Sequence, residues 1–470
     1  MKVLLTGATG LVGKNLIEFL IEQQHDIRVL STRPAKQVNL GPCPMEVFSW
    51  QPENNQIDQA ALKGVDAVIH LAGESVAEGR WSEDKKNKIL HSRIQTTGLL
   101  IQTIKDLPQD QRPKHFISAS AIGIYGDRAD EILTENSTYE TSQPSFLSHV
   151  CQEWEKASKD QVPGMMTSHV RVGIVLSNQG GALAKMLPPF QMGAGGPLGN
   201  GKQFMSWIHN DDLARLFIFI MENKLPGVFN GVAPTPVDNT TFSKVLGKVL
   251  KRPVLFPVPV FAIKLLFGEM STILLSSQRV KPEASIQKGF KFKFDSLFPA
   301  LENILGLLSA GKKKIVAKQW LPFQVEEVFN FFAAAENLEK ITPDYLEFKI
   351  LKMSTAKIEK GTLIDYRLKI HGIPVHWQTE ITDWDKNSFF SDCQLKGPYK
   401  IWFHRHFFVP YKNGTYIKDE VDYLLPLGSL GNFLGHWPIK RDLAKIFNHR
   451  QNVIANLFPA KPQISQMGPS

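Results

Sequence analysis

Residues 2–20 place the strongest constraint on the fold. Lys2, Val3, Leu4, Leu5 and Thr6 have strand character and run directly into Gly7-x-x-Gly10-x-x-Gly13, after which Leu16, Ile17, Phe19 and Leu20 recur at helical spacing. Glycines between a strand and a helix serve a phosphate. The first permits the tight turn, the second lets a pyrophosphate approach the backbone, and the third lets helix and strand pack closely. The free N–H groups at the helix start then receive the phosphates. The stretch therefore predicts a dinucleotide site built from Thr6, Gly7, Thr9, Gly10, Leu11, Val12 and Gly13, with a purely structural glycine turn as the alternative.

A second strand, Ile27 to Leu30, ends where such a fold reads the adenosine ribose. An acidic residue there would bond the ribose hydroxyls and select NAD(H), but this chain offers Ser31-Thr32-Arg33. A hydroxyl beside a guanidinium suits a 2′-phosphate, because Arg grips it through two charge-assisted hydrogen bonds. Thr32 and Arg33 point to NADP(H), with NAD(H) the poorer fit and a surface Arg33 ahead of Pro34 the structural alternative. Val65 to Gly73, VDAVIHLAG, is a further strand that ends in small residues and leaves a cofactor room against the backbone.

At 470 residues, 43% hydrophobic and 21% charged, the chain is expected to hold two or three globular domains. Thr6-Gly7 interrupts the first apolar run too early for a secretory leader. The longest apolar stretch, Val254 to Phe267, is broken by Pro257, Pro259 and Lys264 and is read as a buried or lid segment, so no transmembrane span is expected. Cys43, Cys151 and Cys393 show neither paired nor clustered spacing, which suits a reducing, cytoplasmic setting. Residues 306–470 carry 22 Lys+Arg and 16 Asp+Glu, which is +6 of the formal +9. These charges are scattered apart from Lys312-Lys313-Lys314. Nucleic acid is therefore not an expected partner, and the readings are a solvated surface or weak attraction to a membrane surface.

The motif TGxxGxxG, with LAGESVAEGRWSEDKKNKILHSRI (71–94), ISASAIGIYG (117–126) and SWIHNDDLARL (206–216), resembles the extended short-chain dehydrogenase/reductase superfamily. The resemblance is to its epimerase-family, cell-division-inhibitor-like branch and covers about residues 1–305. QRVKPEASIQKGFKF (278–292) is similar to that branch's small C-terminal extension, here about 250–305. An α/β domain with a Rossmann-type doubly wound parallel sheet is implied. Leu71, Ala72 and Gly73 would then belong to the cofactor site, Glu74 just past them would face the nicotinamide side, Arg93 would lie near the cofactor, and Asp66 would contact adenine. The structural alternatives are a helix cap for Glu74, a helix-face ion pair for Arg93 and an ordinary strand opening for Asp66.

Members of this superfamily commonly use a Ser, a Tyr and a Lys four residues after the Tyr, whose charge lowers the Tyr pKa. Setting IGIYG (122–126) on the superfamily's Tyr-Gly pair puts Ala121 at the Ser position, Phe146 at the Tyr position and Val150 at the Lys position. None of these moves a proton, so the resemblance implies a kept scaffold with its chemistry lost or relocated. Glu74, Ser120 and Tyr125 are the catalytic candidates, and His149, Cys151 and His209 could also lie near the cleft. The glycine-rich run 193–201 is read as a loop bordering that cleft, and Asp211-Asp212 as the cap of a helix from Leu213 to Met221.

The sequence changes character after Gly306 to Lys314, taken as a flexible basic linker at 306–313. A strand at Lys314 to Trp320 and a helix presenting Val325, Val328, Phe329 and Phe332 on one face come next. Strands of period two follow at Leu363–Ile370, Trp377–Trp384, Ile401–Val409 and Tyr416–Tyr423, then a last helix at about 438–457. That order, with Phe329-Phe331-Phe332, Asn337-Leu338-Ile341-Thr342-Pro343 and GTLIDYRLKI (361–370), resembles the START-like, polyketide-cyclase (SRPBCC) helix-grip superfamily over 314–460, leaving 461–470 as a tail. An α+β helix-grip domain is implied, whose curved antiparallel sheet holds a small hydrophobic molecule such as a lipid, quinone or polyketide. A solid aromatic core is the alternative. His404 and His406 project to one face of a strand, yet spacing supplies no third ligand, so no metal is expected. His371, His376 and His436 are read as packing or cavity-lining residues.

The expected function is an NADP(H)-binding atypical short-chain oxidoreductase or epimerase-like enzyme joined to a hydrophobic-ligand module. Tethering raises the local concentration of a poorly soluble substrate. A noncatalytic NADP(H)-responsive regulator is the alternative from a different class, and a lipid- or quinone-binding protein is a further one.

Overall fold

The computed structural model describes residues 1–139, 142–309, 312–426 and 429–459, with side chains at 307–309 and 429–438 not described; the tail read at 461–470 lies outside. The chain divides into two units, Met1–Leu40 with Met45–Gly306, and Gly41–Pro44 with the chain from 307 onward. Among the described residues no helix is long and apolar enough to cross a membrane.

Eight strands form the main sheet of the first unit. They are β1 (Lys2–Thr6), β2 (Asp26–Ser31), β3 (Glu46–Gln51), β4 (Gln56–Ile57), β5 (Ala67–His70), β6 (His115–Ala121), β7 (Met166–Val172) and β8 (Gly227–Gly231). Their order is β8-β7-β6-β5-β1-β2-β3-β4, parallel except at β4. Val3, Leu4, Leu5, Val68 and Ile69 are wholly buried, as strands covered on both faces must be. The helices Leu11–Glu22 and Glu83–Asp106 carry the chain from β1 to β2 and from β5 to β6. Because β2 and β5 flank β1 on opposite sides, the strand order reverses at β1, and a crevice opens at the carboxyl ends of β1 and β5.

Three readings change. Within 254–267, read as buried or as a lid, the helix Val260–Phe267 buries Ile263, but Leu255, Phe256, Phe261, Leu265 and Leu266 are exposed, so the buried alternative does not hold. Its two turns give it little surface to bury. The aspartate pair does not cap the helix Asn210–Glu222; the imidazole of His209 does, accepting from Asp211 N at 3.1 Å. Asp212 is wholly buried and accepts from the backbone N–H groups of Lys293 and Phe294 at 2.9 and 2.8 Å, which pins the C-terminal extension to the sheet domain. Of the expected linker 306–313, residues 310 and 311 lie outside the described residues; before them the helix Leu297–Ser309 runs into it, and after them the next strand begins at Lys313. Apolar periodicity through Leu301, Ile304 and Leu305 carries that helix on.

In the second unit seven strands form an antiparallel sheet in the order β9-β15-β14-β13-β12-β11-β10. They are β9 (Lys313–Leu321), β10 (Lys349–Met353), β11 (Leu363–Ile370), β12 (Ile373–Asp385), β13 (Phe389–Lys396), β14 (Ile401–Tyr411) and β15 (Gly414–Leu424). Two tight hairpins join neighbours, with positive φ at His371 and Gly372 (51° and 79°) and at Lys412 and Asn413 (46° and 57°). Strands β10 and β13 are additions to the sequence reading. β10 lies at a sheet edge with little burial, and β13 gathers its aromatic residues at one end, so neither alternates cleanly. The helix Val325–Phe332 and the final helix Ser429–Leu457 pack on the sheet through Phe329, Phe390, Phe408, Ile417 and Ile454.

Candidate functional site

The crevice of the first unit is shaped by its glycines. Gly7 has φ 70°, and a Cβ there would come within 2.8 Å of the Leu71 carbonyl; at Gly13 a Cβ would lie 2.3 Å from Gly7 O. Neither position tolerates a side chain. Gly10 N donates to Gly7 O at 3.0 Å and starts the helix, which has no side-chain cap and no acidic residue in its first turn. The N–H groups of Leu11, Val12 and Gly13, with the positive end of the helix dipole, are thus left for an anion. Thr9 stands partly exposed in the same turn.

Thr6 works as a floor tie rather than an open ligand contact. Its Oγ1 accepts from Leu71 N at 3.1 Å and Ala72 N at 3.2 Å and lies 2.7 Å from His70 Nδ1. Burial, with the charge of Arg93, pushes His70 down to about 3, so its ring is neutral. At the end of β2, Arg33 N donates to Ser31 Oγ at 3.0 Å, and Thr32 and Arg33 are exposed. Arg93 closes on the other wall. Its Cζ lies 3.2 Å from where a Gly73 Cβ would stand, its guanidinium stacks 4.9 Å over Trp154, and Nη1 donates to Ile89 O.

One expected contact and one catalytic candidate change. Asp66 precedes β5 at the amino edge of the sheet and accepts from Lys2 N at 2.7 Å, a strand length of about 13 Å from the carboxyl ends where a dinucleotide lies. Asp66 is therefore a strand tie and leaves the adenine set. The Glu74 side chain is 42% exposed and pairs with Lys85 at 2.5 Å, which is not the dry, unpaired pocket a carboxylic general base requires.

Ser120 and Tyr125 are also corrected as catalytic candidates. Ser120 Oγ donates to Glu155 Oε1 at 2.7 Å, Arg171 grips both oxygens of Glu155 at 2.9 Å, and Arg171 Nη1 donates to Tyr125 OH, which donates to Asn230 Oδ1 at 2.8 Å. Every member of this chain of bonds is buried. Burial works against the Glu155 charge, but the Arg171 bonds outweigh it and hold the carboxyl below its usual range. Burial pushes the Tyr125 phenol up against the pull of Arg171. Glu155 and Arg171 escaped the sequence reading; the available signal was an Arg among the apolar residues of VRVGIVL (170–176), which the structure buries near the end of β7, because a buried cation demands a partner.

Apolar packing fills the positions aligned with the usual Tyr and Lys. Phe146 meets Trp81 edge-on at 5.1 Å, and Val150 is buried beside Trp81 and Ile89. The buried Cys151 thiol is pushed up to about 12 and is unreactive there, and His149 faces solvent.

The interior of the second unit is hollow rather than solid. A cavity of about 760 Å³ lies against the sheet, walled by Phe332, Leu338, Tyr366, Trp377, Trp402 and Phe447 among others, a size and lining suited to a small apolar molecule. Its polar part includes Asp392, His404, His406 and Arg450. Burial pushes His404 down to about 4. Burial also opposes the charge on His406, but Asp419 and Asp392 outweigh it and raise its pKa. The absence of a third group beside His404 and His406 is thereby corrected: the sheet register supplies Asp392 from a neighbouring strand. His371 pairs with Asp442 at 2.9 Å and His376 lies 3.4 Å from Asp365, while the His436 side chain lies outside the described residues.

Comparison with known proteins agrees with this division. The NAD dependent epimerase/dehydratase family matches residues 3–230, a domain of unknown function (DUF1731) matches 258–304, and polyketide cyclase / dehydrase and lipid transport matches 321–446. The chloroplastic SDR39U1 homolog of Arabidopsis thaliana, an epimerase family protein, is 40% identical over 313 residues, 65% of this chain and 87% of its own length. Human epimerase family protein SDR39U1 is 34% identical over 311 residues, 65% of this chain and 100% of its own. A crystal structure of the human protein (isoform 2) with NADPH superposes with a TM-score of 0.58 at 33% identity, covering 65% of this chain and 99% of that one. Likeness over nearly the whole of these relatives reaches beyond a shared fold: the chain belongs to the epimerase family of NAD(P)-binding short-chain dehydrogenases/reductases, with a polyketide-cyclase-type (START-like) domain fused behind it.

Proposed function

We propose that the first unit binds NADP(H), with the pyrophosphate on the N–H groups of Leu11, Val12 and Gly13 and the 2′-phosphate against Thr32 and Arg33. It exchanges hydride with a hydrophobic carbonyl or alcohol, the accompanying proton passing from or to water because Ser120 and Tyr125 are engaged in buried bonds, and the cavity of the second unit keeps that poorly soluble molecule at hand. The observation that carries the cofactor choice is Arg33, an exposed guanidinium at the carboxyl end of β2 beside an uncapped helix N-terminus. The human relative whose structure contains NADPH supports it. Fluorescence titration with NADPH and NADH tests the reading; equal dissociation constants overturn it.

A second reading is favoured by the buried bonds of Ser120, Glu155, Arg171 and Tyr125. They withdraw both hydroxyl candidates from proton traffic, while Phe146 and Val150 are apolar. On that reading the protein senses NADP(H) without turning it over. Small molecules that copurify with the intact chain, identified by mass spectrometry and returned to it with NADPH, discriminate the two: cofactor oxidation supports the enzyme, and tight binding of both without oxidation supports the regulator.

A further inference from the structure

His404 and His406 stand two apart on β14, so alternation sends both to one face of the sheet. Register then sets Asp392 of β13 opposite His404 and Asp419 of β15 opposite His406, on that same face. Both rings are more than nine-tenths buried, at 7% and 4% exposure. Asp392 Oδ2 lies 3.8 Å from His404 Nδ1 and 3.5 Å from His406 Nε2. On the far side, Asp419 Oδ1 lies 3.7 Å from His404 Nε2 and 2.6 Å from His406 Nδ1. Each imidazole thus turns one nitrogen to Asp392 and the other to Asp419.

Two histidines and a carboxylate converging from neighbouring strands, with a second carboxylate behind them, have the donor set of a metal site. A carboxylate behind a histidine takes its N–H, fixes the ring and leaves the opposite lone pair for a cation. One ligand atom each of Asp392, His404 and His406 falls within 4.8 Å of the others. The separations of 3.5 and 3.8 Å are too long for good hydrogen bonds. They are close to the edge of about 3.4 Å in a tetrahedron drawn with bonds of 2.0–2.1 Å. We infer that Asp392, His404 and His406 bind a divalent first-row cation in a zinc-type site, with Asp419, 2.6 Å from His406 Nδ1, as the positioning residue behind His406. Nothing in the NADP(H) reading bears on this site.

The three ligands line the large cavity, whereas Asp419 lines a small space behind them. The fourth position therefore opens towards whatever molecule the cavity holds, and a cation there would take an oxygen of that molecule. Two carboxylates offset the dication. Arg450 of the final helix, the other cation facing the cluster, lies over the Phe332 ring at 5.2 Å.

The test uses the full chain, stripped with a chelator and titrated with Co2+ and then Zn2+. Wild type is expected to bind one equivalent, with the intense visible absorption of four-coordinate Co2+, which Zn2+ abolishes. Asp392→Asn and His404→Gln are expected to lose the site, and Asp419→Asn to weaken it about 10–100-fold. Retention of both units' melting transitions shows that each variant is folded; should Asp392→Asn not fold, His404→Gln and the wild-type stoichiometry decide. No stoichiometric uptake by wild type, or equal uptake by the folded ligand variants, overturns the proposal and leaves a self-neutralised cluster of ion pairs.

Discussion

Replacing Glu155 by Gln tests whether Ser120 and Tyr125 serve the structure rather than the chemistry. The carboxylate takes two bonds from Arg171 at 2.9 Å and one from Ser120 at 2.7 Å, and the Glu155 and Arg171 side chains are only 9% and 4% exposed, so water screens them little. Removing one charge of such a buried pair costs roughly 3–5 kcal/mol, chiefly because the partner is stranded. At the lower end of about 2–4 °C per kcal/mol, suited to a large domain, the melting temperature of the first unit falls by about 6–10 °C. Glu155→Leu combined with Arg171→Met recovers part of the loss, since apolar replacement of a whole buried pair is close to neutral. The pH dependence has a definite sign. The folded carboxyl titrates below the unfolded one, so its stabilisation is complete above the unfolded value of about 4.3 and is lost as the pH falls through the folded value. The gap between wild type and Glu155→Gln is therefore widest near neutrality and closes in acid. Scanning calorimetry with and without NADPH reads this, because the cofactor raises only the transition of the unit that binds it. A Glu155→Gln variant that melts with wild type at neutral pH, yet loses turnover, would refute the structural role and return Ser120 and Tyr125 to catalysis.

Arg33→Ala is expected to remove most of the preference for NADPH over NADH, about tenfold or more for a charge-assisted bidentate contact of roughly 1.5–3 kcal/mol; an unchanged ratio of dissociation constants contradicts it. Val150→Lys puts an ammonium among Trp81 and Ile89 and is expected to destabilise the first unit by several kcal/mol, whereas Phe146→Tyr is tolerated; a Val150→Lys variant with wild-type melting shows that position 150 opens to solvent. Residues 312–470 are expected to fold alone and take up a polarity-sensitive dye that lipids or quinones displace, and Leu338→Trp is expected to reduce uptake by filling the cavity; a folded fragment that takes up no dye points to a purely structural module.

Local pattern carried much of this protein in its sequence. The strand, glycine turn and helix at 2–22 follow from residue types at fixed spacing, and the structure adds only that Gly7 and Gly13 have no room for a Cβ. The same holds for β11, read as Leu363–Ile370 and found with those bounds, because alternation with period two is a property of neighbours along the chain. The family resemblance, carried by contiguous motifs, was equally visible.

What joins residues far apart was decided by tertiary structure. Glu155 is an ordinary helix acid until β7 brings Arg171 to it, and only that meeting removes Ser120 and Tyr125 from the list of proton carriers. Asp66 lost its expected adenine contact, and Glu74 its candidacy as a general base, for the same reason: which edge of the sheet a residue occupies, and which cation stands beside it, depend on packing rather than on spacing. Asp392, His404, His406 and Asp419 come together through the register of three antiparallel strands. A shift of one residue in that register would send Asp392 to the other face without altering any local pattern, which is why the sequence named the two histidines and only the fold could supply their partners.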